Sequence, residues 1–459
     1  MYRTEFLVFT YSIRRIKTTL SMFPHRFRSL FLLFLMCATF SITAGNLITI
    51  RNGQFQRDGR PYYYIGTNLW YAPILASEGQ GGNLPRLRAE LDQLKSIGVE
   101  NLRILVGADR GSNQVRWVQP VLQSEPGQLN DTLLRGLDRL LYELEAREMT
   151  AVLYLTNSWD WSGGFGFYLR EVGLGDSPSA EGDGWNNYVR YAAQFANNRS
   201  AQQLYFQFIQ TILTRRNTVT QRLYKDEPSI FAWQLCNEPR PFGKDEATVE
   251  GFYRWTTEAA HLIKTLDPNH LVSLGSEGVI GCNVNEELYQ RVHAHPDIDY
   301  LTLHIWPINW RWSSADRLYQ SLPNVYLRSE EYIRQHERLA RRLGKPMVIE
   351  EFGYARDHNF RGPGGATVAR DSFYAFIFSK VCEAAADGRH PLMGCNFWGW
   401  GGQGRPASTT TRPGDQIWQM GDDYLCDPPH EPQGWYSVYD ADASTLNTIR
   451  QATKALSTK

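Results

Sequence analysis

The stretches WQLCNEP at residues 233–239 and VIEEFG at residues 348–353 each run through apolar residues and finish on a carboxylate. Short apolar runs of this kind are typical of buried strands, so Glu238 and Glu351 are expected at strand ends. A strand end holds a side chain rigidly at the edge of a sheet. A glutamate at such a position is also commonly a solvated loop charge, so the interpretation depends on the rest of the chain.

Eight segments of this type occur in order along the chain, at 62–68, 101–107, 149–157, 229–238, 271–278, 299–307, 346–353 and 394–401. Apolar residues at helical spacing lie between them, as at 84–97, 133–148, 252–266 and 330–343. Eight strands alternating with helices predict an α/β fold, the TIM (β/α)8 barrel. A doubly wound open sheet is the alternative, but GTNLW at 66–70 stands where its glycine-rich phosphate loop would be expected.

Further segments predict what lies at the two faces of this barrel. Residues 47–55 and the Asp58-Gly59 turn predict a short N-terminal hairpin that could close the bottom. Connections longer than a barrel requires run from 158 to about 198, from 307 to about 324 and from 402 to 436. Extended loops at the C-terminal face usually shape a binding cleft, and these loops are rich in tryptophan.

Polar and aromatic residues occupy many of the predicted C-terminal strand ends: Asn68, Arg103, Asn157, Asn237, Glu238, Glu277, His304, Trp306, Glu351 and Trp398. Because barrel enzymes carry their active sites at this face, we expect these side chains to converge. Cleavage of a glycosidic bond needs two carboxyl groups facing one bond in most families. The pair Glu238 and Glu351 therefore predicts a sugar-cleaving site.

Composition narrows the range of partners. The 459 residues include 48 basic and 48 acidic residues, so the net charge is zero and no electrostatic footprint for nucleic acid is present. Aromatic residues make up 13%, which suits sugar-binding platforms, although a large core accounts for most of them. No linker or repeat divides the chain after the N-terminal segment. No cofactor or metal site is predicted, because His293 with His295 and the pair Asp422-Asp423 lack a clear ligand spacing.

The N-terminal segment predicts export. Residues 1–45 are interpreted as a signal peptide with an upstream extension, since Arg26 and Arg28 precede an apolar run at 30–38 that is short for a membrane span. Residues 46–459 then form the catalytic barrel. Lipid anchoring at Cys37 is the alternative, disfavoured by the bulky Met36 before it. Five cysteines remain after removal of the signal, and an odd number leaves at least one unpaired.

Four motifs carry a resemblance to a known family: YKDEPSIFAWQLCNEPR at 224–240, TLHIWPINW at 302–310, EEFG at 350–353 and FWGWGG at 397–402. They resemble the fourth, sixth, seventh and eighth strand ends of glycoside hydrolase family 5, in its mannan-cleaving branch. The ordered set covers nearly all of the predicted mature chain. An isolated Asn-Glu-Pro would be much weaker support.

The resemblance implies that Glu238 is the general acid/base and Glu351 the nucleophile. Glu238 must then be protonated when substrate arrives and Glu351 ionised, which implies a raised pKa for Glu238. Arg103 resembles the arginine that hydrogen-bonds the nucleophile and favours its charged form. Strand alternation also predicts that Glu351 points into the barrel mouth and that Glu350 points toward the helices.

Other residues take substrate-binding roles by the same resemblance. Asn237 would contact the sugar 2-hydroxyl, His304 would lie near the catalytic centre, and Trp398 would form the platform beneath the ring being cleaved. Trp306 departs from the pattern, because many relatives place a tyrosine there whose hydroxyl holds the nucleophile. Residues expected to flank the cleavage point, or else to fix loops, are Arg240, Glu277, Trp70 and Trp159.

The resemblance thus implies a metal-independent retaining hydrolase that cuts internal β-1,4-mannosidic bonds of mannan, glucomannan or galactomannan, and the N-terminal segment predicts that it is exported. The expected partner is this polysaccharide or its oligosaccharides, bound by a monomer without a transmembrane span after signal removal. One alternative is a β-1,4-glucanase or cellulase on the same barrel. Another is a polysaccharide-binding surface protein without activity, against which the intact glutamate pair argues.

Overall fold

The computed structural model describes residues 47–113, 116–180, 184–409 and 417–457. The predicted signal segment at 1–45, with Cys37, lies outside the described residues. The strands are β1 (Thr49–Arg51), β2 (Gln54–Arg57), β3 (Arg60–Pro61), β4 (Tyr64–Asn68), β5 (Asn101–Leu105), β6 (Gln123–Glu125), β7 (Gln128–Leu129), β8 (Thr150–Tyr154), β9 (Ile230–Gln234), β10 (Leu271–Ser273), β11 (Leu301–Ile305), β12 (Met347–Phe352), β13 (Leu392–Phe397), β14 (Trp400–Gly402) and β15 (Val438–Tyr439).

Eight of these strands form one parallel sheet, in the order β10-β9-β8-β5-β4-β13-β12-β11. A parallel bridge between Ser273 and Tyr300 joins the two outer strands and closes the sheet into a barrel. All eight predicted strands are present; seven are shorter than predicted, and the eighth, predicted at 394–401, is shifted to Leu392–Phe397. The predicted (β/α)8 barrel is confirmed.

The α-helices that surround the barrel and its loops are Ala72–Ala76, Leu84–Ser96, Asp131–Glu145, Gly164–Leu169, Trp185–Ala192, Arg199–Leu213, Glu246–Leu266, Glu286–His293, Leu318–Leu343, Val368–Asp387 and Ala443–Ser457. The predicted loop 158–198 contains two of these helices, which bury Phe165, Tyr168 and Tyr188. The predicted loop 307–324 is also shorter, because the helix begins at Leu318 and accommodates Pro323 in its second turn. Proline removes one backbone donor there without ending the helix.

The N-terminal hairpin contributes a plug for the lower end of the barrel. Strands β1, β2 and β3 form a three-stranded antiparallel sheet. Phe55 on β2 is fully buried. Its ring meets those of Phe231 and Tyr300 edge-on, with centroids 5.1 and 5.3 Å away. Edge-on aromatic contacts of this kind add to the burial of apolar area, so the hairpin is part of the core.

Cys236, Cys282, Cys395 and Cys426 are buried free thiols. Among the described residues, none of the helices is both long and apolar enough to cross a membrane.

Replacing Phe55 by Ala should lower the free energy of unfolding by about 3–5 kcal/mol, because it removes the plug and leaves a cavity beneath the barrel. Denaturant unfolding measures this value. Leu327→Ala is the control, since Leu327 is 58% exposed and its loss should change stability by less than about 0.5 kcal/mol. Equal effects of the two substitutions would contradict the role of the hairpin.

Candidate active site

A cavity of about 510 Å³ opens at the C-terminal ends of the barrel strands. Both Glu238 and Glu351 line it. The other lining residues are Trp159, Asp160, Trp161, Ala180, Trp185, Asn237, Arg240, Glu277, Ile280, Trp306, Asn309, Trp310, Trp398, Pro428, His430, Glu431 and Tyr436. The cavity thus combines carboxyl groups with a wall that contains six tryptophans and a tyrosine. Such a site suits a sugar, because the faces of a sugar ring are apolar and its edges are polar.

Glu238 lies just beyond β9 in a strained backbone conformation. Its φ of 49° is in the left-handed region, which costs of order 1 kcal/mol or more for a residue with a side chain. Its backbone N–H donates to the carbonyl of Gly275 at 2.9 Å, which fixes this conformation against the segment that follows β10. The side chain then accepts a 2.6 Å hydrogen bond at Oε2 from the indole N–H of Trp159.

Glu351 reaches the cavity through an irregularity in β12. Ile349 pairs with Leu303 of β11, and Glu351 pairs with the next residue of β11, His304. Glu350 is therefore an extra residue in β12, which is the definition of a β-bulge. The bulge breaks the alternation of side chains along the strand.

The prediction that Glu350 points toward the helices is wrong for this reason. Its buried carboxylate accepts from Gln234 Nε2 at 2.6 Å and from the Tyr300 hydroxyl at 3.2 Å. Tyr300 belongs to the cluster at the bottom of the barrel interior. Glu350 and Glu351 thus both face the inside, and of the two only Glu351 lines the cavity.

Arg103, at the centre of β5, is fully buried and connects the two sides of the site. Nη1 forms an ion pair with Glu351 Oε1, and Nη2 donates to Asn237 Oδ1 at 2.8 Å. Nε donates to Gln234 at 2.8 Å and lies 3.7 Å from Glu350 Oε2. A guanidinium with this many fixed acceptors is pre-organised and permanently charged.

His304 and Trp306 approach the carboxyl groups from the end of β11. His304 Nδ1 lies 2.7 Å from Glu238 Oε1 and 3.3 Å from Glu351 Oε2. The Trp306 indole N–H donates to Glu351 Oε2 at 3.1 Å. The indole thus supplies a hydrogen bond where a tyrosine hydroxyl was expected from the family pattern.

One ligand-type atom each of Glu238, His304 and Glu351 lies within 4.8 Å of the others. This spacing would also suit a metal ion. However, the Arg103 guanidinium and the indole N–H groups of Trp159 and Trp306 already occupy the carboxylate oxygens. A positive charge and donor-only groups at these oxygens disfavour a cation.

Burial sets the protonation of the pair. It raises the pKa of Glu238, although Arg240 and the Trp159 N–H oppose the rise. It also raises the pKa of Glu351; the ion pair with Arg103 opposes this, and the charge of Glu238 adds to it. Two buried carboxyl groups this close share one proton, and the direct ion pair favours the charge on Glu351. Burial and Arg103 lower the pKa of His304 well below its usual range, so its ring is neutral.

The remaining predicted residues fall into two groups. Arg240 and Glu277 line the cavity and form a bidentate ion pair, with N–O distances of 2.5 and 2.7 Å. Trp159 lies beneath the Arg240 guanidinium, 5.0 Å from it. Trp70 is not among the lining residues of this cavity; it is 3% exposed, and its N–H donates to the Cys426 carbonyl at 2.8 Å. Trp70 therefore fixes a loop.

The wall formed by the last long loop was not predicted residue by residue. Pro428, His430, Glu431 and Tyr436 of this loop line the cavity. The Tyr436 ring meets Trp306 edge-on at 5.2 Å and so supports the indole that contacts Glu351. The length of the loop and its aromatic content were the available signals, and they do not indicate which side chains turn inward.

Comparisons with known proteins agree with this geometry. The family model described as GH family 5 beta-mannosidase-like matches residues 45–459. The crystal structure of a glycoside hydrolase family 5 mannosidase from Rhizomucor miehei superposes with a TM-score of 0.80 at 32% identity, covering 90% of this chain and 98% of that one.

Plant sequences are similar as well. Mannan endo-1,4-beta-mannosidase 4 of Oryza sativa subsp. japonica is 30% identical over 372 residues, which are 77% of this chain and 73% of that protein. Mannan endo-1,4-beta-mannosidase 1 of Arabidopsis thaliana is 28% identical over 363 residues, 76% of this chain and 80% of that protein. The fold, the family match over all of the described residues and these relatives together establish that the chain belongs to glycoside hydrolase family 5, in its beta-mannosidase-like group.

Proposed function

We propose that this protein is a retaining glycoside hydrolase that cleaves internal β-1,4-mannosidic bonds of mannans. Glu238 acts as general acid/base and Glu351 as nucleophile. The observation that carries the proposal is the close approach of these two carboxyl groups in one cavity: one oxygen of each lies within 4.8 Å of the other, and both contact the same nitrogen, His304 Nδ1. Retaining enzymes hold the pair about 5–5.5 Å apart, whereas inverting enzymes need about 6.5–9.5 Å to admit a water molecule.

The reaction proceeds in two displacements. In the first, Glu351 attacks the anomeric carbon and forms an ester, while the Glu238 proton passes to the glycosidic oxygen and the bond to the leaving sugar breaks. In the second, Glu238 takes a proton from water, the water oxygen bonds to the anomeric carbon, and the ester breaks. Arg103 stabilises the charge of Glu351 before the attack.

The surrounding residues bind the substrate in this proposal. Asn237, held by Arg103, faces the 2-hydroxyl, and Trp398 stacks on the ring that is cleaved. Arg240 and Glu277 line the cavity as a paired charge and contact hydroxyl groups of the neighbouring unit. Trp306 supports the nucleophile through its N–H.

Mannan is the proposed substrate because the similar rice and Arabidopsis proteins carry the name mannan endo-1,4-beta-mannosidase. A second candidate is removal of single mannose units from chain ends. The description of the matched family as beta-mannosidase-like and the 32% identity to the Rhizomucor miehei mannosidase favour it. Export through the N-terminal segment and a monomeric state remain part of the proposal.

Glu351→Ala should reduce hydrolysis of mannan by more than about 10³-fold, because the ester cannot form. Glu238→Ala should lose about 10²–10⁴-fold on mannan but retain most of its kcat/KM on an aryl mannoside with an acidic leaving group, because formation of the ester then needs no proton; kcat should still fall, since opening of the ester needs Glu238 as the base. Initial rates on both substrates measure the difference. Glu383→Gln is the control and should leave both rates unchanged, because Glu383 is exposed on the helix Val368–Asp387 outside the cavity. Unchanged hydrolysis by Glu351→Ala would exclude the assignment.

Initial rates on mannan should exceed those on carboxymethyl-cellulose, and the first product observed by NMR should keep the β-configuration. A defined manno-oligosaccharide distinguishes internal from terminal cleavage. Internal cleavage gives several shorter oligomers from the start, whereas terminal cleavage gives mannose alone. Faster cleavage of the cellulose derivative, or an inverted product, would contradict the proposal.

Trp306→Phe should move the acidic limb of the kcat/KM profile to higher pH by about one unit. The substitution removes a hydrogen bond from the Glu351 carboxylate, which raises the pKa of that group. Since Glu351 must be ionised, activity is then lost at a higher pH as the solution is acidified. Trp70→Phe is the control, because Trp70 lies outside the cavity lining. An unmoved acidic limb would show that the indole does not support the nucleophile.

A further inference from the structure

One ring nitrogen of His304 touches both carboxyl groups of the site. Nδ1 lies 2.7 Å from Glu238 Oε1 and 3.3 Å from Glu351 Oε2. The ring is fully buried at the end of β11. A neutral imidazole carries a hydrogen on one nitrogen only, so the position of that hydrogen decides what His304 can do.

The groups around Glu351 indicate that Nδ1 carries the hydrogen. Arg103 donates to Oε1 and Trp306 donates to Oε2, and neither group can accept a hydrogen bond. Glu351 is thereby held as a carboxylate. A bare Nδ1 would then face the Oε2 lone pairs with no hydrogen between them, which is repulsive.

The other ring nitrogen supports the same tautomer. Nε2 is buried and has no hydrogen-bond partner among the described residues. An unpaired buried N–H is rarer in proteins than an unpaired buried acceptor. A bare Nε2 and a protonated Nδ1 therefore satisfy the surroundings best.

We infer that the single Nδ1–H of His304 is shared between nucleophile and acid/base, and that it follows the negative charge from Glu351 to Glu238 and back during each catalytic cycle. This inference rests on the proposed function. His304 is a positioning residue in this scheme, since it acts through the two carboxyl groups.

The chemistry of the two steps requires such a shift of charge. When Glu351 forms the ester it loses its negative charge, and Glu238 becomes negative because its proton has passed to the leaving sugar. When water opens the ester, its proton returns to Glu238 and the charge returns to Glu351. A donor within reach of both oxygens stabilises either state without a conformational change, which is the condition for efficient electrostatic catalysis.

The neighbouring charges are compatible with a donor that stays neutral. Arg103 from β5 and Arg240 from the segment after β9 lower the pKa of His304, with burial as the largest cause, while Glu277 from the segment after β10 opposes them. Both arginines keep their charge across the working pH range. The acidic limb of the kcat/KM profile then reports the pKa of Glu351, and the basic limb reports the pKa of Glu238.

The test compares His304→Leu with His304→Asn. Asn and Leu are similar in size, but the Asn amide can place a donor near the position of Nδ1, whereas Leu cannot. Loss of the donor raises the pKa of both carboxyl groups, so His304→Leu should move both limbs of the kcat/KM profile to higher pH by about 0.5–1 unit. It should also reduce kcat about 10–100-fold with little change in KM. His304→Asn should leave both limbs close to their wild-type positions.

Three outcomes would overturn the inference. A basic limb that moves to lower pH in His304→Leu would mean that Nδ1 accepts the proton of Glu238. Limbs that stay in place while kcat and the melting temperature fall would mean a structural role alone. Equal shifts for the Asn and Leu variants would mean that the donor is irrelevant.

Nitrogen-15 NMR of the unmodified protein gives a second test that requires no variant to fold. The His304 ring should be neutral and protonated at Nδ1 between about pH 5 and 8. The Glu351→Ala variant, which removes one acceptor, identifies the His304 signals among those of the 10 histidines. An Nε2–H tautomer or an imidazolium would refute the inference. This result does not depend on hydrolysis, so it separates failure of the inference from failure of the proposed function.

Discussion

The buried ion pair between Arg103 and Glu351 is the constraint on which the rest of the site depends. Arg103 is fully buried, and a charge in that position is tolerated only where it is paired and hydrogen-bonded. Asn68, Asn237 and Gln234 accept hydrogen bonds from three further N–H groups, and the ring of Tyr154 lies against the guanidinium at 4.6 Å. The ends of β4, β8, β9 and β12 are thereby tied to one cation on β5, which fixes the geometry of the barrel mouth.

This arrangement gives two similar glutamates different chemistry. Both are buried beside each other, so they cannot both be ionised at low cost. Glu351 forms an ion pair with Arg103. Glu238, in contrast, is hydrogen-bonded by two neutral groups, the indole of Trp159 and the imidazole of His304. The negative charge therefore favours Glu351, and Glu238 is the group better able to hold a proton.

The barrel and the pairing of Glu238 with Glu351 could be predicted from the sequence, because strand and helix periodicities and strand-end residues are local signals. The orientation of Glu350 could not, since alternation holds only in a regular strand and the bulge in β12 arises from pairing with β11. The left-handed conformation of Glu238 could not be predicted either, because it depends on the contact with Gly275. Nothing in the sequence distinguishes Trp70 from Trp159. Only the packing of the loops shows that Trp70 anchors a loop whereas Trp159 donates a hydrogen bond to Glu238.

Glu351 as nucleophile, held ionised by Arg103, can be tested directly by trapping the glycosyl ester. A 2-deoxy-2-fluoro-mannosyl fluoride forms the ester but opens it slowly, so the labelled residue can be identified by mass spectrometry of peptides. We expect a single fluoromannosyl label, on Glu351. A label on Glu350 or Glu238, or inactivation without a covalent label, would contradict it.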